Sequence, residues 1–286
     1  MDIKVGDVVA RKSYGYDIMF KVQDIVAGKD ANRTVILKGL SYRLLADAPE
    51  SDIVKMPVNK VNEEMKAFEK RLGKMAKTGE LRAMAASRRL FPKREEYTRF
   101  ELPGKVLHID GDSDYLAMSM KYYKEQSISA VGKLIPEVDQ PKLIRTLLME
   151  NNPDIVIITG HDSMQKQGEK DSIDKYRNSR YFIEAVKEAR KYQQSLDELV
   201  IIAGACQSYY EGILSAGANF ASSPARILIH ALDPVMLCRQ IAFTPIDKTT
   251  PIEEVLKGTM TGAKGIGGIQ TRGKFRAGMP GSPYIP

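Results

Sequence analysis

The chain has 286 residues, 43% of them hydrophobic and 28% charged, with a formal net charge of +7 and two cysteines. That length supports one large or two smaller domains, and the composition is that of a globular chain rather than a disordered, collagenous or membrane-spanning one. No run approaches about 18 consecutive apolar residues, and Met1-Asp2-Ile3-Lys4 lacks the layout of a signal peptide. A cytosolic location without a membrane partner is expected. Two cysteines exclude a disulfide scaffold and a four-cysteine zinc site.

The charge is uneven: residues 1–100 hold 21 Lys and Arg against 14 Asp and Glu, whereas residues 101–286 carry 22 of each. The basic part is therefore the one suited to an acidic partner, either a protein assembly or a nucleic acid. Residues 1–58 alternate short β-type runs with turn signals. Candidate strands are Val5–Ala10, Ile18–Val26, Thr34–Leu40 and Tyr42–Leu45, separated by Tyr14-Gly15, residues 28–32 and Gly39. This pattern predicts a small SH3-like β-barrel used for docking. Over residues 59–100 the period becomes helical, with Val61, Met65, Phe68, Leu72 and Met75 on one stripe. Arg82, Arg88, Arg89, Lys93, Arg94 and Arg99 make this a basic helical connector, open to self-cleavage if the protein cuts after basic residues.

Residues 101–286 follow an α/β rhythm. Strand candidates are Lys105–Ile109, Ile128–Leu134, Asp154–Thr159, Leu199–Ala203 and Ile227–His230; helical patterns fill Tyr115–Glu125, Gln140–Glu150, Asn178–Gln194, Ser208–Ala216 and Pro234–Ala242. Such alternation predicts a mostly parallel sheet flanked by helices. From Thr261 a glycine-rich tail reads as loop that folds over the sheet edge.

Two of these strands end in reactive side chains. Ile155-Val156-Ile157-Ile158 leads into Thr159-Gly160-His161-Asp162, and Val200-Ile201-Ile202-Ala203 leads into Gly204-Ala205-Cys206-Gln207-Ser208. Continuous apolar runs of this length are the mark of strands buried on both faces, whose carboxyl ends line the ligand crevice of a parallel sheet. An imidazole and a thiol delivered to one crevice make a nucleophile and base pair, Cys206 and His161. A helix starting near Ser208 would favour the thiolate, and backbone amides of Gly160, Asp162 and Cys206 are candidate oxyanion donors. His230, 24 residues past Cys206, is the rival base, as in an amidotransferase-like hydrolase.

Asp110, Asp112 and Asp114 cluster after the Lys105–Ile109 strand. An EF-hand loop is excluded because Tyr115 and Lys121 stand where Gly and Glu are required. A haloacid dehalogenase-type phosphatase expects Thr or Val at Asp114. Within a peptidase, the cluster is a candidate for binding an arginine or lysine side chain of the substrate. A basic binding module for coat protein or nucleic acid, built on residues 1–100, is the alternative from outside the enzymes. Neither a metal nor an organic cofactor is called for.

A strand ending in Gly160-His161 followed by one ending in Ala205-Cys206 resembles the caspase-like cysteine peptidase fold. The caspase signature itself is absent, since Gln207-Ser208 follow Cys206 and Asp162 follows His161. Longer stretches are similar to the YabG family of sporulation-specific proteases of endospore-forming bacteria. They include residues 9–14, 104–112, 158–162, 203–208, 216–224 and 230–234. That resemblance runs nearly end to end and is weakest over 59–100. It implies a cysteine endopeptidase of the mother-cell cytoplasm that trims spore coat and spore-surface proteins after arginine and cleaves itself. It carries over the cysteine and histidine onto Cys206 and His161, and it leaves the specificity acid and the oligomeric state open.

Overall fold

The computed structural model describes residues 3–27, 33–70, 73, 100–165 and 172–281. The chain divides into two units, Met1–Lys74 and Met75–Pro286. In the first, β1 (Val8–Arg11), β2 (Met19–Ala27), β3 (Arg33–Gly39), β4 (Leu45–Pro49) and β5 (Ile53–Lys55) pair antiparallel in the order β4-β3-β2-β1-β5. Val9, Phe20, Val22, Val35, Leu37, Ala48 and Ile53 fill its core, each of these side chains other than that of Ala48 contributing roughly 1.5–3 kcal/mol. The expected strand at Tyr42–Leu45 is instead a turn. The Gly39 N–H donates to the Leu44 carbonyl at 2.8 Å, so pairing with β3 resumes only at Leu45. A helix, α1, covers residues 58–70, and the basic residues expected between Arg82 and Arg99 lie outside the described residues.

The second unit is α/β, as the alternating pattern predicts. Its strands are β6 (Phe100–Leu102), β7 (Val106–Asp110), β8 (Ala130–Leu134), β9 (Ile155–Thr159), β10 (Val200–Ala203), β11 (Phe220–Ser222), β12 (Ile266–Gly268) and β13 (Arg276–Gly278). Six of them form one sheet in the order β12-β11-β10-β9-β7-β8, parallel except for β12, which runs against β11. β13 pairs with β6 as a separate antiparallel ribbon. The helices are α2 (Ser113–Glu125), α3 (Gln140–Asn151), α4 (Ser179–Tyr192), α5 (Tyr210–Ser215), α6 (Asp233–Ala242) and α7 (Ile252–Lys257).

Alternate strand residues sort the layers. Leu107, Ile109, Val156, Ile158, Ile201 and Ala203 pack on Ile144, Leu147 and Leu148 of α3 and on Phe182, Ala185, Val186 and Ala189 of α4, an i, i+3, i+4, i+7 stripe. The opposite face meets α2 and α6. Two expectations are corrected here. Ile227–His230 is no strand: the fifth parallel strand is Phe220–Ser222, and residues 227–229 pass instead over the tip of β10. The tail from Thr261 is not all loop, because Ile266–Gly268 adds to the exposed edge of β11. Edge completion explains this, since unpaired N–H and C=O groups at a sheet edge recruit any extended segment within reach.

Candidate functional site

The strand order reverses between β7 and β9, with β8 lying on one side of β7 and β9, β10 and β11 following on the other. In open parallel sheets such a reversal separates the loops beyond the carboxyl ends and opens a crevice there. His161 follows β9 at this point and Cys206 follows the adjacent β10. Ile158 and Ala203 are paired across the two strands, and each is followed three residues later by its reactive side chain. The sequence expectation of an imidazole and a thiol on neighbouring parallel strand ends is therefore met in the topology.

His161 is held at both its ring and its backbone. Its Nε2 lies 2.9 Å from Asp112 Oδ2, and the Tyr115 ring packs against it at 5.8 Å between centroids. Asp112 is also the N-cap of α2, its Oδ1 accepting from the Asp114 and Tyr115 amides at 2.9 and 3.2 Å. Because an ionised carboxylate only accepts, this contact puts a proton on Nε2 and leaves Nδ1 as the basic nitrogen. The His161 N–H donates to Glu137 Oε1 at 2.6 Å. A side chain at Gly160 would overlap the Glu137 carboxyl, so glycine is what allows Glu137 to reach that amide.

Cys206 sits in a turn with two left-handed positions, Gly204 at φ 103° and Gln207 at φ 58°. Its Sγ accepts from the Ile229 N–H at 3.2 Å and donates to the Ile229 carbonyl at 3.8 Å. The side chain is 1% exposed. The helix expected at Ser208 begins two residues later, at Tyr210, and has six residues, so Ile229 rather than a helix terminus faces the sulfur. Cys238 is buried as well, within α6, and burial pushes its thiol well above the usual value, which suits a packing role.

The two loops are tied together by Asp162. Its Oδ1 accepts from the Ser163 and Asn178 amides at 2.9 and 2.8 Å, and its Oδ2 accepts from the Ser208 hydroxyl at 2.9 Å and from the Ser179 hydroxyl. Ser208 Oγ in turn accepts from the Ala205 N–H at 2.9 Å, and Ser179 Oγ accepts from the Tyr209 N–H at 2.7 Å. Burial holds the Asp162 carboxyl above its ordinary value, against the pull of those four hydrogen bonds.

The three candidate aspartates separate. Asp110 is fully buried, accepting from Thr159 Oγ1 and the Asp112 amide, each at 3.0 Å, with His108 Nε2 3.5 Å away. Asp112 is on His161, and Asp114 is exposed on the first turn of α2. His230 Nδ1 accepts from the Leu232 N–H at 3.1 Å, which commits that lone pair to the backbone. Glu137, Ser179 and Ser208 had no motif to mark them. A helix-capping signature at Asp112-Ser113-Asp114 was the one readable hint that its carboxylate faces the strand tips. Among the described residues no three His, Cys, Asp or Glu side chains cluster as a metal site, and no helix is long and apolar enough to cross a membrane.

Comparison with known proteins gives three findings. The sequence model of the family described as YabG peptidase U57 matches residues 4–280. The chain is 42% identical over 291 residues to the sporulation-specific protease YabG of Bacillus subtilis (strain 168), a match covering 98% of this chain and 99% of that protein. A crystal structure of a novel cobalamin-binding protein from Desulfitobacterium hafniense DCB-2 overlaps 64% of this chain and 76% of its own, at 22% identity and a TM-score of 0.32, too loosely to bear on the fold or the chemistry.

Proposed function

We propose that this chain, which belongs to the YabG peptidase U57 family, is a sporulation-specific cysteine endopeptidase with Cys206 as nucleophile and His161 as base. The observation that carries the reading is the parallel register of β9 and β10, which ends both strands together at the reversal of strand order. With Asp112 on Nε2, His161 Nδ1 takes the thiol proton and the Cys206 thiolate attacks the peptide carbonyl. Backbone amides of Gly160, Asp162 and Cys206 are the proposed oxyanion donors; the His161 amide is not among them, being given to Glu137. The imidazolium then protonates the leaving amine, and the neutral ring activates water to hydrolyse the thioester. Since Cys206 is 1% exposed, peptide binding draws the segment through Ile229 aside.

The substrates proposed are spore coat and spore-surface proteins cut after arginine in the mother-cell cytoplasm, with self-cleavage in the connector. An arginine preference is supported by the acidic side chains at the strand ends, of which Asp114 is the exposed one. Five short antiparallel strands around one core support reading residues 1–58 as an SH3-like docking barrel, and the neighbouring strand ends support a caspase-like reading of residues 101–286. Cys206→Ala should abolish cleavage of an internally quenched arginine peptide while leaving the circular dichroism spectrum unchanged; undiminished turnover overturns the proposal. Substituting His161 and His230 separately distinguishes this base from the amidotransferase-like alternative. Mass spectrometry of wild-type and Cys206→Ala protein over time reads any self-cleavage and the residue before each cut.

A further inference from the structure

We propose that Asp162 is a positioning residue for the reaction: through Ser208 and Ser179, its carboxylate fixes the Cys206 turn against the His161 loop. The inference rests on the reading of Cys206 and His161 as nucleophile and base. Three chain segments meet on this one side chain. The His161 loop supplies the Ser163 amide, the start of α4 supplies the Asn178 amide and the Ser179 hydroxyl, and the Cys206 turn supplies the Ser208 hydroxyl. Asn178 also returns to the His161 loop, its Nδ2 donating to the His161 carbonyl at 2.8 Å.

The turn that carries Cys206 needs such a restraint. Gly204 and Gln207 on either side of the nucleophile are left-handed, and a non-glycine residue such as Gln207 keeps that conformation only when its surroundings hold it there. Ser208 is the link: it accepts the Ala205 amide directly before Cys206 and passes its own proton toward Asp162. Across the turn, the Gln207 N–H donates to Ser223 Oγ at 3.1 Å, and Gln207 Oε1 accepts from the Met164 amide at 3.4 Å. A shift of the Asp162 carboxylate therefore moves the thiol and the imidazole relative to each other, although its hydrogen bonds run to Ser163, Asn178, Ser179 and Ser208 and not to those two side chains.

Asparagine is the sharpest probe. It keeps the size of Asp162 but offers one oxygen where the carboxylate offers two, and turns an NH2 group toward donors. Asp162→Asn should lower kcat about 100-fold, the cost of misplacing reacting groups by about an ångström, with KM little changed. The thiol limb of kcat/KM against pH should move as well, because the thiol and imidazole no longer pair. A merely structural residue would lower the melting temperature and leave kcat of the folded fraction and the shape of that profile intact. Ser208→Ala should act in the same direction, and the double variant should cost no more than the larger single one, since both cut one link. Wild-type kcat in Asp162→Asn and Ser208→Ala, with Cys206→Ala inactive in the same assay, overturns this proposal and spares the peptidase reading. An active Cys206→Ala overturns both. If Asp162→Asn does not fold, Ser208→Ala decides: a fall in kcat supports the link and an unchanged kcat overturns it.

Discussion

Asp52 in the first unit and Asp162 in the second each accept several hydrogen bonds, one of those on Asp52 coming from a guanidinium, and shift in opposite directions. Asp52 takes the Ser13 amide at 2.8 Å, the Ser13 hydroxyl at 2.7 Å and Arg11 Nε at 2.9 Å, and these bonds bring its carboxyl down to about 2. Asp162 takes four donors and Asp233 takes the His230, Met260 and Thr261 amides and the Thr261 hydroxyl, yet burial lifts both above the ordinary value. Hydrogen-bond number does not decide the direction. Access to water does: at the rim of the small sheet solvent shares the charge, whereas under the loops of the α/β unit the neutral dipoles only partly replace it.

The largest effect is expected at Asp112, the carboxylate held on His161 Nε2. Asp112→Asn keeps the cap of α2, because Asn caps as well as Asp. It cannot accept a proton-rich Nε2 with full charge, so His161 loses both its tautomer and the partner of its imidazolium. A fall in kcat of roughly 10³–10⁴-fold is expected at an unchanged melting temperature. A loss below tenfold would mean that Asp112 serves the helix and not the ring.

Asp233 tests the buried class by stability instead of rate. Replacing it with Ala strands buried donors on the turn before α6 and on residues 260–261, each unmade bond costing about 1–3 kcal/mol, so a loss of about 3 kcal/mol or more is expected for the second unit. Urea unfolding followed by tyrosine fluorescence reads it, the chain having no Trp. A cost near zero would show that water already reaches those groups.

Much of this arrangement was legible in the chain because fully buried parallel strands leave continuous apolar runs. Ile155-Val156-Ile157-Ile158 and Val200-Ile201-Ile202-Ala203 identified β9 and β10, and the helical pattern over Asn178–Gln194 identified α4. Phe220–Ser222 and Ile266–Gly268 escaped notice because three residues are too few to show a period, and Ile227-Leu228-Ile229 has strand composition but spends it on the Cys206 turn. Asp112 read as part of an acidic turn, since its meeting with His161 depends on the pairing of β7 with β9. Ser208 and Asp162 are 46 residues apart, and a side-chain bond at that separation leaves no local pattern at all.

The comparison makes opposite predictions for pH. A carboxyl lowered in the folded state contributes stability that is complete above the unfolded value and disappears as pH falls through the folded one. For Asp52 that window runs from the ordinary carboxyl value of 3.8 down to about 2, and acid should loosen the first unit within it. For Asp162 and Asp233 the folded values lie above the unfolded ones, so ionisation opposes folding, and acidification from neutrality toward 3.8 should relieve the second unit. Carbon-13 titration of the aspartate carboxyls measures each site directly, and a buried pair titrating below Asp52 would reverse the argument.

The smallest effect is expected for Asp52→Asn. The amide can still accept from the Ser13 N–H, so neutral-pH structure should survive, while the ion pair with Arg11 is lost. Surface pairs of this kind contribute little, because solvent screens them and ordering two side chains costs entropy. The change therefore shows in the slope and not the level: amide-exchange protection of residues 3–27 should be nearly that of the wild type at neutral pH and lose its dependence on acid between 3.8 and about 2. If the dependence persists, Asp7, lowered by its hydrogen bond to Lys55, is the carboxylate that carries it, and Lys55→Met should then remove what Asp52→Asn left.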